Sequence, residues 1–242
     1  MFLFAQCLSS PCYAQPEPDH SPVKVNLGVF GRTQSVFRGV VVWPAPSMML
    51  GPSLVLWDRL FVLGPMLRYK VFPDRRSKWE LNLSAIRFDD GKPWIRLGYH
   101  KSGYRNLRPV SYEGSAEFKY KFGERNLYSI GASAFQDFST YHGLYGELNF
   151  GVPVFPFTSF LLDLGASTPA AAEYAYGAGA KSGLSVVRSS LRVFLPFIPW
   201  GGILFSKLSY AHILQSSNQS AYFVQGHDHN WSFETLLSWR IY

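Results

Sequence analysis

Apolar and polar residues alternate along much of this chain, and the clearest example is SYEGSAEFKYKF at residues 111–122. One set of alternate positions is apolar or aromatic, namely Tyr112, Ala116, Phe118, Tyr120 and Phe122. The other set is polar, namely Ser111, Glu113, Ser115, Glu117, Lys119 and Lys121. Because successive side chains of a β-strand point to opposite faces, a period of two predicts a strand with one apolar and one polar face.

The same alternation recurs along the rest of the chain and predicts a series of strands. The clearest segments are residues 23–30, 59–72, 78–85, 94–100, 143–154, 159–166, 186–195 and 230–242. The pattern is weaker at 42–51 and 201–214, which we also predict to be strands. Within 59–72, read as one strand, Phe61, Leu63, Leu67, Tyr69 and Val71 share a face opposite Arg68 and Lys70.

The connections between these segments largely alternate in length. The short ones are WDR (57–59), DDGK (89–92), GERN (123–126), FPF (155–157) and the slightly longer FIPWGG (197–202). Most of the longer ones are polar or glycine-rich, at 72–78, 101–109, 138–143, 167–180 and 215–230. Tight turns at one end and longer loops at the other are typical of outer-membrane barrels, in which the turns are periplasmic.

The fold predicted from these patterns is all-β: a transmembrane, antiparallel, up-and-down β-barrel of about twelve strands, with ten as the alternative count. A soluble sandwich of amphipathic strands is the competing interpretation, but it would leave open strand edges that a barrel removes. Composition favours the barrel, since charged residues make up only 16% and aromatic residues 17% of the chain. No uninterrupted run of 18 apolar residues is present, so an α-helical membrane span is not predicted.

The first residues differ from the rest and predict a division of the chain into three parts. Residues 1–14 are uncharged, apolar and end in Ala14, as does the back half of a secretory signal peptide, although the basic leading region is missing. A short periplasmic segment at 15–23 and the barrel at 24–242 would follow. Cys7 and Cys12 both lie in the predicted signal, so the mature chain would contain no cysteine and no disulfide.

Charge on the polar faces of the strands raises a question about the barrel interior. The residues predicted to point inward are Arg68, Lys70, Glu117, Lys119, Glu147, Asp163, Arg188 and Arg192. They could line a selective pore, or pair with one another across a filled lumen, and the sequence leaves both alternatives open. The net charge of +7 comes without a basic helix or an aromatic RNA-binding motif, so no nucleic-acid partner is predicted.

Basic residues in the connections offer a different partner. Arg75, Arg76, Lys78, Lys101 and Arg105 would lie near lipopolysaccharide phosphates or anionic headgroups, or would simply be solvated. We therefore expect outer-membrane lipid and lipopolysaccharide as partners. The loop at 215–230 contains Tyr222, Phe223 and Val224 and is a candidate binding patch.

Candidate catalytic and metal-binding chemistry is sparse. His227 and His229 in HDH could hold a metal, but no further ligand is evident, and solvated side chains are the alternative. His142 lies near Ser139, and His212 lies near Ser209. A membrane-embedded enzyme could use a serine and a histidine on its barrel wall, but neither pair has an evident third residue to orient the histidine. The glycine-rich 177–183 precedes a strand rather than a helix, so it is not a phosphate loop. We predict no catalytic, cofactor-binding or metal-binding residue, no cofactor, and no enzymatic activity.

Three segments carry a resemblance to a known family. They are LGPMLRYKVF (63–72), the stretch from Tyr112 to Val154, and the closing stretch from Leu195 to Tyr242. In their order and pattern they resemble the MipA/OmpV (MltA-interacting protein) family of Gram-negative outer-membrane proteins, from about residue 24 to the C-terminus.

The resemblance implies an outer-membrane barrel that acts as a structural or scaffold protein for murein hydrolases or synthases. Porin-like and adhesive roles are also described in this family, and a lipid A-modifying barrel enzyme is the least favoured alternative. Since mid-sized barrels with charged interiors are usually filled, we expect little conductance. The short turns WDR, DDGK and GERN are predicted to be periplasmic and to offer a few charges with almost no apolar surface.

Overall fold

The computed structural model describes residues 22–43, 46–72, 77–88, 95–96, 108–123, 127–198, 202–224 and 227–241. Within them the strands are β1 (Val23–Arg32), β2 (Ser35–Phe37), β3 (Val40–Trp43), β4 (Ser47–Leu56), β5 (Leu60–Leu63), β6 (Met66–Lys70), β7 (Trp79–Phe88), β8 (Ile95–Arg96), β9 (Ser111–Phe122), β10 (Tyr128–Asp137), β11 (Leu144–Phe155), β12 (Thr158–Ser167), β13 (Gly183–Ile198), β14 (Gly202–Ile213) and β15 (His229–Arg240). Two short helices, α1 (Pro169–Tyr176) and α2 (Ser216–Gln219), lie in the connections before β13 and β15. The predicted signal peptide, at residues 1–14, lies outside the described residues.

Twelve strands of the described chain form the wall of a closed antiparallel barrel. Successive wall strands pair from β4 to β15, and β1 lies between β15 and β4, so the last strand meets the first. Leu27 of β1 is in register with Trp239 on one side and with Pro52 on the other. Because a closed ring has no open edge, backbone groups pair within the wall, as the membrane interior requires. The predicted all-β barrel of about twelve strands is confirmed.

The three remaining strands are not part of the twelve-stranded wall. β2 and β3 form a separate two-stranded hairpin in the connection from β1 to β4. β8 is two residues long and pairs with Ser47 and Met48 at the start of β4. The β2–β3 hairpin is the element that most affects the interior of the barrel, as described below.

The outer face of the barrel is apolar across its height. Its exposed side chains include Leu83, Phe118, Ile130, Leu148, Leu191, Leu208 and Phe233. Aromatic residues mark both edges, with Tyr112 and Trp231 at one and Trp79, Tyr120 and Tyr128 at the other. Tyr112 and Tyr120 are eight residues apart on β9. For a strand rising ~3.3 Å per residue and tilted by ~40°, this separation is roughly 20 Å along the axis. That height is close to the ~25 Å apolar band of outer-membrane barrels.

The segment 59–72 was wrongly predicted to be a single strand. It is a short hairpin, β5 and β6, which turns at Gly64 and Pro65, where Gly64 has a φ of 50°. A two-residue turn pairs an odd-numbered residue with an even-numbered one, so Phe61 is in register with Arg68 rather than on the face of Leu67 and Tyr69. Phe61 therefore faces the lumen beside Arg68.

The predicted strand at 94–100 contributes only Ile95 and Arg96 to strand structure among the described residues, and these are β8 rather than a wall strand. Conversely, β10 was not among the segments predicted from alternation, because small residues interrupt its pattern at Gly131, Ala132 and Ala134. β10 nevertheless pairs along its length with β9 and β11. The eleven segments predicted from alternation gain one strand from the splitting of 59–72 and one from β10, and lose 94–100, so the wall has twelve strands, in agreement with the predicted total of about twelve.

The two ends of the barrel differ in their connections. We call the end that carries Val23, the start of β1, the turn end, and the opposite end the loop end. The connections at the turn end follow β4, β6, β9, β11 and β13, and those at the loop end follow β1, β5, β7, β10, β12 and β14. WDR (57–59) and FPF (155–157) lie at the turn end, as predicted, and the strands that flank GERN (123–126) also meet there, although residues 124–126 lie outside the described residues.

Two connections were assigned to the wrong end. The strand β7 runs from Trp79, beside Tyr120 at the turn end, to Phe88, beside Ser111 at the loop end. The connection that contains DDGK (89–92) therefore starts and finishes at the loop end, although DDGK itself lies outside the described residues. The longer 72–78 connects β6 to β7 at the turn end. Both errors follow from reading the β5–β6 hairpin as one strand, which reversed the direction assigned to the next segment.

Among the described residues, no helix is long and apolar enough to cross a membrane.

Candidate functional site

The lumen contains two adjoining cavities, and all eight of the predicted inward charges line them. The larger cavity, of about 500 Å³, is lined by Arg68, Lys70, Glu117, Lys119 and Arg192 together with residues of the turn end such as Asp58 and Arg59. The smaller, of about 140 Å³, is lined by Glu147, Asp163 and Arg188, and shares Glu117, Lys119 and Arg192 with the first. The alternation of polar and apolar residues therefore predicted the interior correctly.

Five of these eight charges form ion pairs. Arg68 of β6 forms an ion pair with Glu117 of β9 inside the lumen. The guanidinium of Arg188 lies 2.8 Å from an oxygen of Asp163 and 3.2 Å from one of Glu147. Pairing of this kind keeps charges neutralised in a region shielded from bulk water, where an unpaired charge is costly. This part of the interior follows the filled-lumen alternative.

The other three, Lys70, Lys119 and Arg192, have no ion-pair partner within the part of the chain that the structure describes. All three line the larger cavity, and the Nε of Arg192 is shielded from solvent without a hydrogen-bond partner. The ionisable residues around this cavity are Arg59, Arg68, Lys70, Lys119, Arg192, Asp58, Glu80 and Glu117. Five are basic and three are acidic, so the cavity carries a positive potential that favours anions.

The loop end of the lumen is occupied by the tip of the β2–β3 hairpin. Its two turn residues, Arg38 and Gly39, have φ angles of 49° and 88°. Positive φ at both central positions is the geometry of the tight hairpin turn that matches strand twist. The tip is buried: Tyr176 donates a hydrogen bond to the carbonyl oxygen of Arg38, and Asn230 donates one to that of Gly39.

Arg38 is fixed at this tip by a buried ion pair. Its guanidinium lies 2.8 Å from a carboxylate oxygen of Glu113, a residue of β9 whose side chain is fully buried. The guanidinium carbon also lies 4.2 Å from the ring centre of Tyr145 and 4.6 Å from that of Phe37. The carboxylate and the aromatic rings hold the guanidinium in one position, and this fixes the hairpin tip in the lumen.

Tyr141 completes this group. Its hydroxyl donates a hydrogen bond to Glu113 and accepts one from Arg38. Burial raises the pKa of the Tyr141 hydroxyl; Arg38 acts in the opposite direction, and Glu113 raises the pKa further. The net result is a pKa well above the ordinary tyrosine value, so this phenol stays protonated and acts as a donor to the carboxylate.

Apolar packing surrounds the hairpin tip and makes a cap at the loop end. One cluster joins Val40 of β3 to α1, β14 and the last connection through Ala172, Ala175, Tyr176, Ile213, Ala221 and Val224. A second cluster joins Ala171 of α1 to Tyr145, Val186 and Ala211 of the wall. We call the hairpin tip, α1, the connection 138–143 and these two clusters the cap. The cap gives the loop end a dry core that the lumen lacks.

Asp137 organises the connection 138–143, which supplies Tyr141 to the cap. One oxygen of its buried carboxylate accepts hydrogen bonds from the backbone N–H groups of Thr140, Tyr141 and His142 at 2.7, 2.7 and 3.0 Å, and from that of Ser139 at 3.2 Å. A carboxylate with several backbone donors fixes a tight loop. In the sequence, an aspartate followed by Ser, Thr and Gly is the turn signal that could have identified this loop.

Neither serine–histidine pair suggested by the sequence is assembled. The hydroxyl of Ser139 bonds to Asp137 and Thr140 and accepts from the backbone of Tyr112. Ser209 is buried and bonds to Ser190. His212, three residues further along β14, lies on the opposite face of the wall from Ser209. In the described chain no hydrogen bond joins either histidine to its serine, while the absence of enzymatic activity stays a prediction.

The histidines of HDH do not form the pair that was considered. His227 is exposed, and His229 instead contacts His212 and Asp228. The predicted binding patch at 222–224 is also wrong in part. Val224 is buried in the cap and Phe223 packs against it, so of these three side chains only Tyr222 is exposed.

Sequence reasoning missed the cap, because its central residue, Arg38, is a single basic residue in the apolar run VFRGVVVW. The signal was present: Arg-Gly between two β-branched and aromatic runs is a two-residue hairpin connection with Gly at a position of positive φ.

The sequence matches no protein-family model and no curated protein. The structure is similar to several solved membrane proteins. An outer-membrane channel from Pseudomonas putida F1 is 11% identical, with a TM-score of 0.42 over 91% of this chain and 96% of that one. The NanC porin is 9% identical, with a TM-score of 0.39 over 89% of this chain and 97% of that one. A protein from a study of in-meso crystallization of membrane proteins is 9% identical, with a TM-score of 0.42 over 90% and 84%. Similarities of this size support no conclusion about function.

The class of the protein follows from its own architecture. A closed antiparallel barrel with an apolar outer face, aromatic residues at both edges and a charged interior is a transmembrane β-barrel of the outer-membrane type. The predicted location in the outer membrane is therefore confirmed, while membership of the MipA/OmpV family stays a prediction.

Proposed function

We propose that this outer-membrane barrel is a selective channel for small anions, with a lumen that binds the solute and a cap that closes the loop end. The observation that carries the proposal is the group of three cations, Lys70, Lys119 and Arg192, that line the larger cavity without ion-pair partners in the described chain. Cations collected in a cleft with low-dielectric walls raise the local concentration of anions.

The cavity is accessible from the turn end. Asp58 and Arg59, in the exposed turn after β4, form part of its lining. In outer-membrane barrels the short turns are periplasmic, so the basic cavity would open to the periplasm while the cap faces outward. The volume of about 500 Å³ falls within the range of small-molecule sites. Small carboxylates and phosphates are therefore the solutes that fit its charge and size.

Planar-bilayer recordings under a KCl gradient test this function. The recordings use the unaltered protein and a variant whose hairpin at 34–45 is replaced by a short Gly-Ser linker, so that the cap does not limit the current. We expect the reversal potential to show selectivity for chloride, and we expect Lys119→Gln and Arg192→Gln each to shift it towards zero.

Lys181→Gln is the matched control. It removes the same charge, but Lys181 is exposed on the surface of the loop end, away from the lumen. Currents selective for cations, or lumen variants that behave like the Lys181 variant, would overturn the anion channel.

A scaffold for periplasmic murein enzymes is a second candidate, and one observation favours it. Trp57 and Phe157, in two connections of the turn end, are exposed, so this end offers more apolar surface than the sequence led us to expect. Exposed aromatic residues are common anchors at protein interfaces. This function does not need an open lumen, and the cap is compatible with it.

A pull-down with the mature barrel as bait, at low and high salt, distinguishes this candidate. Recovery of a murein hydrolase or synthase that is lost with Trp57→Ser/Phe157→Ser supports the scaffold. Tyr222→Ser, an equivalent aromatic substitution at the loop end, should leave the recovery unchanged. If all three baits recover the same proteins, the turn end is not the docking surface.

Lipopolysaccharide as a partner stays a proposal as well. Of the basic connection residues named for this role, Lys78 is described and lies at the turn end, whereas Arg75, Arg76, Lys101 and Arg105 lie outside the described residues. The segments that contain Lys101 and Arg105 connect strands at the loop end, which in an outer-membrane barrel faces the lipopolysaccharide leaflet.

A further inference from the structure

A second site, unrelated to the lumen, lies on the outer face of the barrel at the loop end. His212 of β14 and His229 of β15 are in register across the strand pair. The N–H of Ile213 bonds to the carbonyl oxygen of Asp228 at 2.9 Å, so the next pair along, His212 and His229, is of the non-hydrogen-bonded type. In that type the side chains approach more closely, and the two imidazole rings indeed stack with centres 4.2 Å apart.

Asp228, which precedes β15, places its carboxylate beside both rings. One of its oxygens lies 3.4 Å from Nε2 of His229 and 3.7 Å from Nδ1 of His212. One ligand atom from each of the three residues lies within 4.8 Å of the others. A tetrahedral metal with bonds of about 2.1 Å holds its ligand atoms roughly 3.4 Å apart, so a small ring rotation brings all three into range.

The hydrogen bonds around the group leave these atoms available. The hydroxyl of Tyr210 bonds to Nδ1 of His229, which holds that ring and leaves its Nε2 directed at Asp228. Nδ1 of His212 is shielded from solvent and has no hydrogen-bond partner in the described chain. A metal-binding histidine commonly has its second ring nitrogen fixed by a neighbouring polar group, and Tyr210 provides this for His229.

The donor set determines which metal fits. Two imidazole nitrogens and one carboxylate are typical ligands of Zn²⁺, whereas Mg²⁺ and Ca²⁺ prefer all-oxygen sites. Three protein ligands leave a fourth position for water. We propose that His212, Asp228 and His229 bind one Zn²⁺ ion on the outer face of the barrel, next to Tyr210 and Trp231 at its loop-end edge.

Isothermal titration calorimetry of the refolded barrel in detergent, with Zn²⁺ as the titrant, tests this site. We expect saturation at one ion per barrel, and loss of that binding in His212→Gln and in His229→Gln. Tyr210→Phe should keep the site but weaken its affinity roughly tenfold, since it removes only the group that orients a ligand. His227→Gln is the matched control, because His227 adjoins Asp228 in sequence but is exposed and outside the group.

A second measurement needs no variant and covers the case in which a substitution prevents folding. The unaltered barrel is treated with diethyl pyrocarbonate with and without Zn²⁺, and modified histidines are located by mass spectrometry. Protection of His212 and His229 but not His227 supports the site. The site would be overturned by an absence of saturable Zn²⁺ binding, or by Zn²⁺ leaving the modification of all three histidines equal. It would also be overturned if His227→Gln lost as much binding as His212→Gln and His229→Gln.

Discussion

The two ends of this barrel are built from the same wall strands but have opposite interiors. At the loop end, Arg38 and Tyr145 lie in a dry, packed cap, whereas at the turn end Lys70 and Lys119 line a cavity of about 500 Å³. Strand alternation gives a membrane barrel a polar interior along its whole length. The comparison therefore shows that the dry core of this barrel forms where its connections, here the β2–β3 hairpin, α1 and the last loop, pack against apolar residues of the wall such as Tyr145, Val186 and Ala211.

The largest change, in conductance, should come from removing the hairpin that closes the loop end. Replacing residues 34–45 by a short Gly-Ser linker takes Arg38, Gly39 and Val40 out of the mouth. We expect steady ohmic currents in planar bilayers, where the unaltered protein conducts little. Lys181→Gln, on the exposed surface of the loop end, is the control and should leave conductance low. A silent barrel without its hairpin would show that the cap does not close the lumen.

The buried ion pair of the cap should be the next most sensitive feature. Arg38→Ala leaves the Glu113 carboxylate buried without its cation, which typically costs ~3–5 kcal/mol. The free energy of unfolding, measured by urea titration of the refolded barrel, should fall by about this amount.

The double variant Arg38→Met/Glu113→Leu tests the cause. Because it removes both charges, it should recover much of the lost stability. A double variant no more stable than Arg38→Ala would mean that shape rather than charge fixes the hairpin tip.

Packing beneath the cap should give a smaller effect. A Cβ at Gly165 would lie 2.1 Å from the hydroxyl oxygen of Tyr145 and 2.7 Å from Val186, so Gly165→Ala overpacks the second apolar cluster. We expect a loss of ~1–3 kcal/mol in the same unfolding measurement. Gly146→Ala, where the nearest atom is 3.7 Å away, should change little. Equal effects at the two glycines would contradict a tightly packed cap.

The smallest effect is expected at the turn end. Lys24 and Asp58 form an ion pair at 2.6 Å there, but the Asp58 side chain is 55% exposed. An exposed pair is screened by water and salt, so Lys24→Gln should lower the free energy of unfolding by about 0.5 kcal/mol or less. The comparison of interest is between this small loss of unfolding free energy and the larger loss expected for Arg38→Ala. A loss as large as that of Arg38→Ala would mean that the turn end is as rigidly packed as the cap.

Much of the wall was predictable from the sequence, and so were all eight inward charges, because alternation is a local signal. The β5–β6 hairpin was missed since Gly64-Pro65 is a short turn inside an apolar run, and the error also reversed the ends assigned to the next connections. The group of His212, Asp228 and His229 joins residues whose proximity depends on strand register. Register is set by the whole sheet, and spacing along the chain did not reveal it.

The cap also depends on closure of the ring. Its hydrogen bonds join residues from opposite ends of the chain, such as Asn230 of β15 to Gly39, which are 191 positions apart. The hairpin lies between β1 and β4, but it has no full set of partners until the last wall strand arrives. An unfinished barrel therefore exposes the Arg38 peptide bond to trypsin, whereas a finished one conceals it. Cleavage after Arg38 during refolding would thus report on whether the ring has closed.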